Sequence, residues 1–273
     1  MKNLVRYKKI KNHLTSKGFK FKYEKGFHKM MNNSKEEFVL YKGIKIEVKN
    51  GELRLPYDLP YDLEIKRFDE IEGLETLTNL KKLHCKSFYL KKIEHLDHLQ
   101  NLETLILQDS PRLSKIENLD NLTNLKILDL TDSNITRIEN LDHLRNLEVL
   151  LLGKSLETSC GDYITEITGL ESLPNLKELD LGGNRIKIIK GLEALTNLKF
   201  LSLAYNQIRE IKGLDNLSNL EQLYLNSNNI TEIKGLDNLI NLKILRIHNN
   251  GPFNSNSIKI LEGMRSSGID VWY

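Results

Sequence analysis

The chain has 273 residues, 40% of them hydrophobic and 28% charged, which is enough apolar content for a substantial core and too much for a disordered polypeptide. Its two cysteines, Cys85 and Cys160, exclude a disulfide framework or a cysteine zinc site, and nowhere do about 18 uninterrupted apolar residues occur to span a bilayer. The net charge of +3 conceals an asymmetry: residues 1–50 carry 14 Lys plus Arg against 4 Glu, net +10, and the remaining 223 carry 26 against 33, net −7.

The stretch MKNLVRYKKIKNHL never builds the apolar run of a signal peptide, so the cytoplasm is the expected compartment. Leu4, Tyr7, Ile10 and Leu14 fall at helical spacing, with Gly18 where a helix C-cap glycine belongs. Phe19, Phe21 and Tyr23 then alternate with polar residues, and strands are expected over 38–41, 44–48 and 53–55, with Asn50-Gly51 as a hairpin turn. Residues 1–60 thus read as a small basic α+β domain. Pro56 and Pro60 mark its exit, and 61–72 read as a junction or degenerate repeat.

From Gly169 the chain runs GLESLPNLKELDLGGNRIKIIK, GLEALTNLKFLSLAYNQIREIK, GLDNLSNLEQLYLNSNNITEIK, three copies of 22 residues. Earlier copies begin at Gly73, His95, Asn118 and Asn140, and an eighth begins at Gly235, giving eight repeats over 73–250. Pro111 and Arg112 lengthen the second copy by one residue, and seven extra residues fall within 155–163 of the fourth. Each copy contains L-x-x-L-x-L-x-x-N-x-I-x-x-I, as at Leu198, Leu201, Leu203, Asn206, Ile208 and Ile211. That pattern resembles the leucine-rich repeat, and within it the 22-residue class found in a regulatory subunit of type-one protein phosphatase and in bacterial internalins. The resemblance implies an α/β solenoid, a right-handed leucine-rich-repeat superhelix with a parallel concave sheet. It also makes a phosphatase-regulating role conceivable.

Period-2 alternation gives the same geometry without the name. In Leu201-Ser202-Leu203 both leucines point inward, and neighbouring copies stack such strands side by side. One repeat cannot bury its own leucines, so each depends on the next and the ends need caps. The Asn184, Asn206, Asn228 and Asn250 column is expected to satisfy turn backbone, a structural role; its place is taken by Ser110, Ser133 and Ser155 earlier and by Phe88 in the first copy. Residues 251–273 read as a C-terminal cap with a helix at 257–264 and a last strand at 269–273, in which Trp272 is expected to pack.

Outward strand positions form two columns. One holds Ile106, Asp129, Leu151, Asp180, Ser202, Tyr224 and Arg246; the other holds Ile127, Val149, Glu178 and Phe200. Ile106, Ile127, Val149 and Leu151 make an apolar patch, with Phe200 and Tyr224 further along, Asp129, Glu178 and Asp180 as acidic points and Arg246 at the far end. Eight strands about 4.8 Å apart span on the order of 35 Å, the reach of a peptide or domain. The expected function is therefore a scaffold or adaptor holding a protein partner on the concave face, one with an apolar strip flanked by basic residues. Replacing Leu151 by Asp should then abolish binding and change stability by no more than about 1 kcal/mol.

Catalysis is not expected. Asp129 and Asp180 lie two repeats apart, about 10 Å, with Leu151 between them, and His98 and His143 are equally far apart, whereas metal ligands must converge within about 2 Å of one ion. With no glycine-rich phosphate loop, activated serine or Cys/His cluster, no metal or cofactor is expected. The alternative is nucleic-acid or anionic-surface binding through residues 1–60, whose lysines interleave with Tyr7, Phe19, Phe21 and Tyr23, against a lysine-rich solvated face or docking of that unit on the acidic solenoid.

Overall fold

The computed structural model describes residues 37–56, 64–155 and 163–273. The helix and first strand expected before residue 37, and any covering of the concave patch by the insertion within 155–163, lie outside the described residues.

Thirteen strands, one α-helix and two single-turn 3-10 helices (Phe68–Glu70 and Leu74–Thr76) are described. Strands β1 (Phe38–Tyr41) and β2 (Ile44–Glu47) form an antiparallel hairpin, and β4 (Ile71–Glu72) pairs with the other side of β1. Asn50 and Gly51 do form a tight turn, with φ of 54° and 72°, closed by reciprocal backbone bonds of 2.9 Å between Lys49 and Glu52. The strand leaving that turn, β3 (Glu52–Arg54), does not return to β2. It pairs in parallel with β5 (Lys82–His84) and opens a ten-stranded parallel sheet.

That sheet continues through β6 (Thr104–Ile106), β7 (Ile127–Asp129), β8 (Val149–Leu151), β9 (Glu178–Asp180), β10 (Phe200–Ser202), β11 (Gln222–Tyr224) and β12 (Ile244–Arg246) to β13 (Asp270–Trp272). Each strand is three residues long because only its central leucine must be held in register, as at Leu128, Leu150, Leu179 and Leu201, all fully buried. Between strands the chain turns over a ladder of buried Leu and Ile three residues apart, such as Ile208, Ile211, Leu214, Leu217 and Leu220. The result is the expected solenoid, with one continuous core shared between neighbouring coils. Leu53, Leu55, Phe68 and Ile71 are also buried in that core, so β3 and the described residues from 64 onward extend it ahead of the first repeat.

Two asparagine ladders tie coil to coil. In the buried one, Asn206 Nδ2 donates to the carbonyl of Leu181 in the preceding repeat (3.0 Å) and lies 3.1 Å from that of Leu203, and its Oδ1 accepts from Ile186 N (2.9 Å). Asn184, Asn228 and Asn250 repeat the arrangement. The second ladder was not anticipated: one residue before the last ladder leucine ahead of each strand, an exposed asparagine from Asn101 to Asn241 donates to a backbone carbonyl one coil back at 2.8–3.0 Å.

In the first copy the expected ladder position, Phe88, is 53% exposed. A phenyl ring has no amide to offer the turn, and the neighbouring Ser87 is buried instead, its hydroxyl donating to Ile65 O at 2.5 Å. The C-terminal cap is a helix α1 (Ser255–Ser266), whose N-cap Asn254 accepts from Ser257 N (2.8 Å), followed by β13 in parallel register with β12. Ser257, fully buried, accepts from Ile233 N at 2.9 Å and fastens the helix to the last repeat. No described helix is long and apolar enough to cross a membrane.

Candidate partner-binding face

The parallel register aligns the outward residues in two unbroken rows. One runs Glu52, Lys82, Thr104, Ile127, Val149, Glu178 and on through Phe200, Gln222 and Ile244 to Asp270. The other runs Arg54, His84, Ile106, Asp129, Leu151, Asp180 and on through Ser202, Tyr224 and Arg246 to Trp272. The rows therefore extend one strand beyond the eight repeats at each end.

Ile127 and Val149 are register partners, and Leu151 follows Val149 on the same strand; all three are half-buried, as is Ile106. Phe200 and Tyr224, also half-buried, stand two and three strands further on, with ring centroids 5.3 Å apart at 44°. Between these two apolar stretches come Glu178, exposed, and Asp180, half-buried, whose Oδ1 accepts from Gly182 N (2.8 Å).

Asp129 is placed differently from an exposed acidic point. It is 4% exposed, its carboxylate accepting from Thr131 N (3.0 Å) and from the Gln108 amide, so it braces the turn after β7. It also lies in register between Ile106 and Leu151. Leu151 is thus flanked in its row by two carboxylates, Asp129 and Asp180, and an aspartate there would add a third at strand spacing. Lysine is the less disruptive charge for testing this position.

At the far end Arg246 Nη1 donates to the carbonyl of Asp270 (2.8 Å) and its Nη2 pairs with the Asp270 carboxylate (2.5 Å), which holds that carboxyl below its usual range. Trp272, expected to pack within the cap, is instead 59% exposed and stacks on His248 at 4.2 Å, because it stands on the outward row opposite Arg246. At the near end His84 lies 3.1 Å from Glu52; burial, reinforced by Arg54, holds its imidazole below the ordinary histidine value. His98 and His143 do not converge: His98 Nε2 meets Leu74 O at 2.8 Å, and His143 pairs with Asp120 at 3.6 Å. Among the described residues no group of three or more His, Cys, Asp or Glu is placed to hold a metal ion.

A family model of leucine-rich repeats matches residues 174–216 and 196–238, inside the part of the solenoid where the buried ladder is all asparagine. The chain is a leucine-rich repeat protein. Among solved structures, internalin C2 of Listeria monocytogenes is 27% identical over 69% of this chain and 80% of that one, with a TM-score of 0.55. TLR13, in a complex with ssRNA13, is 28% identical over 64% of this chain but only 26% of its own, with a TM-score of 0.56. A leucine-rich repeat protein of Leptospira interrogans aligns at 22% identity over 74% of this chain and 62% of its own, with a TM-score of 0.49. None of the curated proteins matches the chain in sequence. The leucine-rich repeat solenoid is generally a protein–protein interaction scaffold.

Proposed function

We propose that this leucine-rich repeat protein is a scaffold or adaptor that holds a protein partner on its concave sheet. The observation that carries the reading is the cluster of Ile127, Val149 and Leu151, left half-open on the outward face while the core leucines between them are sealed. Phe200 and Tyr224 supply an aromatic anchor of the kind that dominates interface energetics. Glu178 and Asp180 separate the two apolar stretches, so the matching partner carries an apolar strip interrupted or flanked by basic side chains. The role requires binding and no reaction.

The test compares the wild-type chain with a Val149→Lys, Leu151→Lys variant, both checked for the same melting midpoint. A protein captured by wild type is then titrated against each. Its dissociation constant is expected to rise at least about tenfold for the variant, roughly 1.4 kcal/mol. An unchanged constant would remove the concave face from the reading.

A further inference from the structure

Outside the concave sheet, where each coil turns away from its strand, the repeats before the insertion carry a second surface. A cleft of about 480 Å³ is lined by Lys66, Arg67, Tyr89, Lys91, Lys92 and Arg112, with Glu94 as its one carboxylate. Glu94 is engaged by Arg67 at 3.3 Å. The Arg112 guanidinium lies over the Tyr89 ring at 4.5 Å and over Phe88 at 5.6 Å, and Lys66 stands 5.9 Å from Tyr89. Phe88, displaced from the buried ladder, meets Tyr89 edge-on at 5.2 Å and keeps more than half its surface in solvent.

The charge continues along the solenoid. Lys92, Lys115 and Arg137 hold the same position in three successive repeats, each immediately before the buried Ile93, Ile116 or Ile138. All three are exposed, and none has an ion-pair partner among the described residues. After the insertion the same position holds Glu166, Ile188, Glu210 and Glu232, and each of those glutamates is neutralised by a lysine, Lys190, Lys212 or Lys234. One fold position is thus basic and unpaired over three repeats and, over the next four, acidic and paired in three and apolar at Ile188 in the other. A generic solvated face would not change sign at that boundary.

We propose that the cleft over Tyr89, together with the row Lys92, Lys115 and Arg137, binds single-stranded RNA. The row spans about 10 Å at strand spacing, too long for one phosphate and suited to successive phosphates of an extended chain. Arg112, stacked on the rings, keeps its N–H edge for a phosphate oxygen, and the exposed face of Phe88 offers a base a stacking surface. Lone cations without aromatic neighbours would serve a phosphorylated peptide equally well; the combination of flat rings with a multi-repeat cation row favours the polynucleotide.

The experiment uses the full chain and a fluorescently labelled oligouridylate, read by anisotropy from about 50 to 300 mM salt. Wild type is expected to bind, with log affinity falling against log salt by about 0.7 for each phosphate neutralised. A Lys92→Glu, Lys115→Glu, Arg137→Glu variant should lose at least tenfold in affinity and flatten the salt slope, and the matching triple Gln variant should lie between. Phe88→Ala should weaken binding several-fold at unchanged slope. Leu151→Lys should bind RNA like wild type, which keeps this proposal separable from the concave-face reading. No binding at low salt, equal binding by the charge-reversed chain, or binding of a multiply phosphorylated peptide in place of the RNA would each overturn it.

Discussion

The repeats before and after the insertion close the same coil with different side chains. After it, every repeat starts on a glycine in the left-handed region, and a Cβ on Gly169, Gly191, Gly213 or Gly235 would come within 2.5–2.8 Å of a backbone carbonyl of the coil below. Before it, the first repeat also starts on a glycine, Gly73, but the next three start on His95, Asn118 and Asn140, with φ near 58–60°, and the two asparagines donate to the carbonyls of Ile93 and Ile116 at 2.7 Å. The buried ladder divides in the same way, into four-bonded asparagines after the insertion and serines before it, where Ser133 makes one 3.3 Å bond to Leu107 O. Glycine thus removes a Cβ contact with the carbonyl of the coil below, and asparagine at the same place bonds that carbonyl through its side-chain amide. The later repeats should therefore be the more cohesive block.

The sharpest test of that contrast is the ladder. Asn206→Ala orphans the buried Ile186 N–H and leaves the Leu181 carbonyl with Asn184 Nδ2 alone, and is expected to cost about 3 kcal/mol by urea denaturation, whereas Ser133→Ala should cost about 1 kcal/mol. Equal losses would abolish the distinction. Next comes the turn: Gly191→Ala, whose new Cβ would sit 2.6 Å from Ile167 O, should destabilise by about 2–3 kcal/mol, and Asn118→Gly by no more than about 1 kcal/mol. The smallest effect is on Cys85. Its thiol is fully buried in the earlier block, and burial followed by the Glu64 charge pushes its pKa from 9.0 up to about 12. Because the folded value is the higher, the stabilisation it contributes is complete below pH 9 and is lost as pH rises from 9 towards 12. A Cys85→Ala chain should show a shallower decline over that window. In a Cys160→Ser background, Cys85 should react with a thiol reagent only on opening of the earlier block, before the asparagine-rich block unfolds.

Much of this architecture is legible in the amino-acid order because leucine spacing sets register, and a one-residue slip would expose every core leucine. The outward columns of eight repeats accordingly coincide with the first and last residues of β5 to β12. What escaped depends on contacts between coils. Leu53 and Leu55 alternate as any strand would, and only the neighbour available decides that β3 joins β5 and not β2. Asp129 and Asp180 look equivalent in the repeat, yet the Gln108 amide from the coil below seals one and nothing comparable covers the other. Ser87 displaces Phe88 because a small hydroxyl fits the turn and a ring does not. The basic row beside Tyr89 was present at a fixed repeat position and would have been found by aligning the residues before each Ile93-type position, a column the period-2 search of the strands passes over.

A ten-stranded parallel sheet ends on two edges, and these are the places where a stack of coils would otherwise keep growing. The first strand presents Glu52 paired with Arg54, and the last presents Asp270 held by Arg246. Placing one copy's last strand in register against another's first would set the Asp270 and Glu52 carboxylates side by side on the outward face, a like-charge contact that disfavours the pairing. The charges on the two terminal strands thereby disfavour head-to-tail filaments, the natural hazard of a translationally repeated molecule.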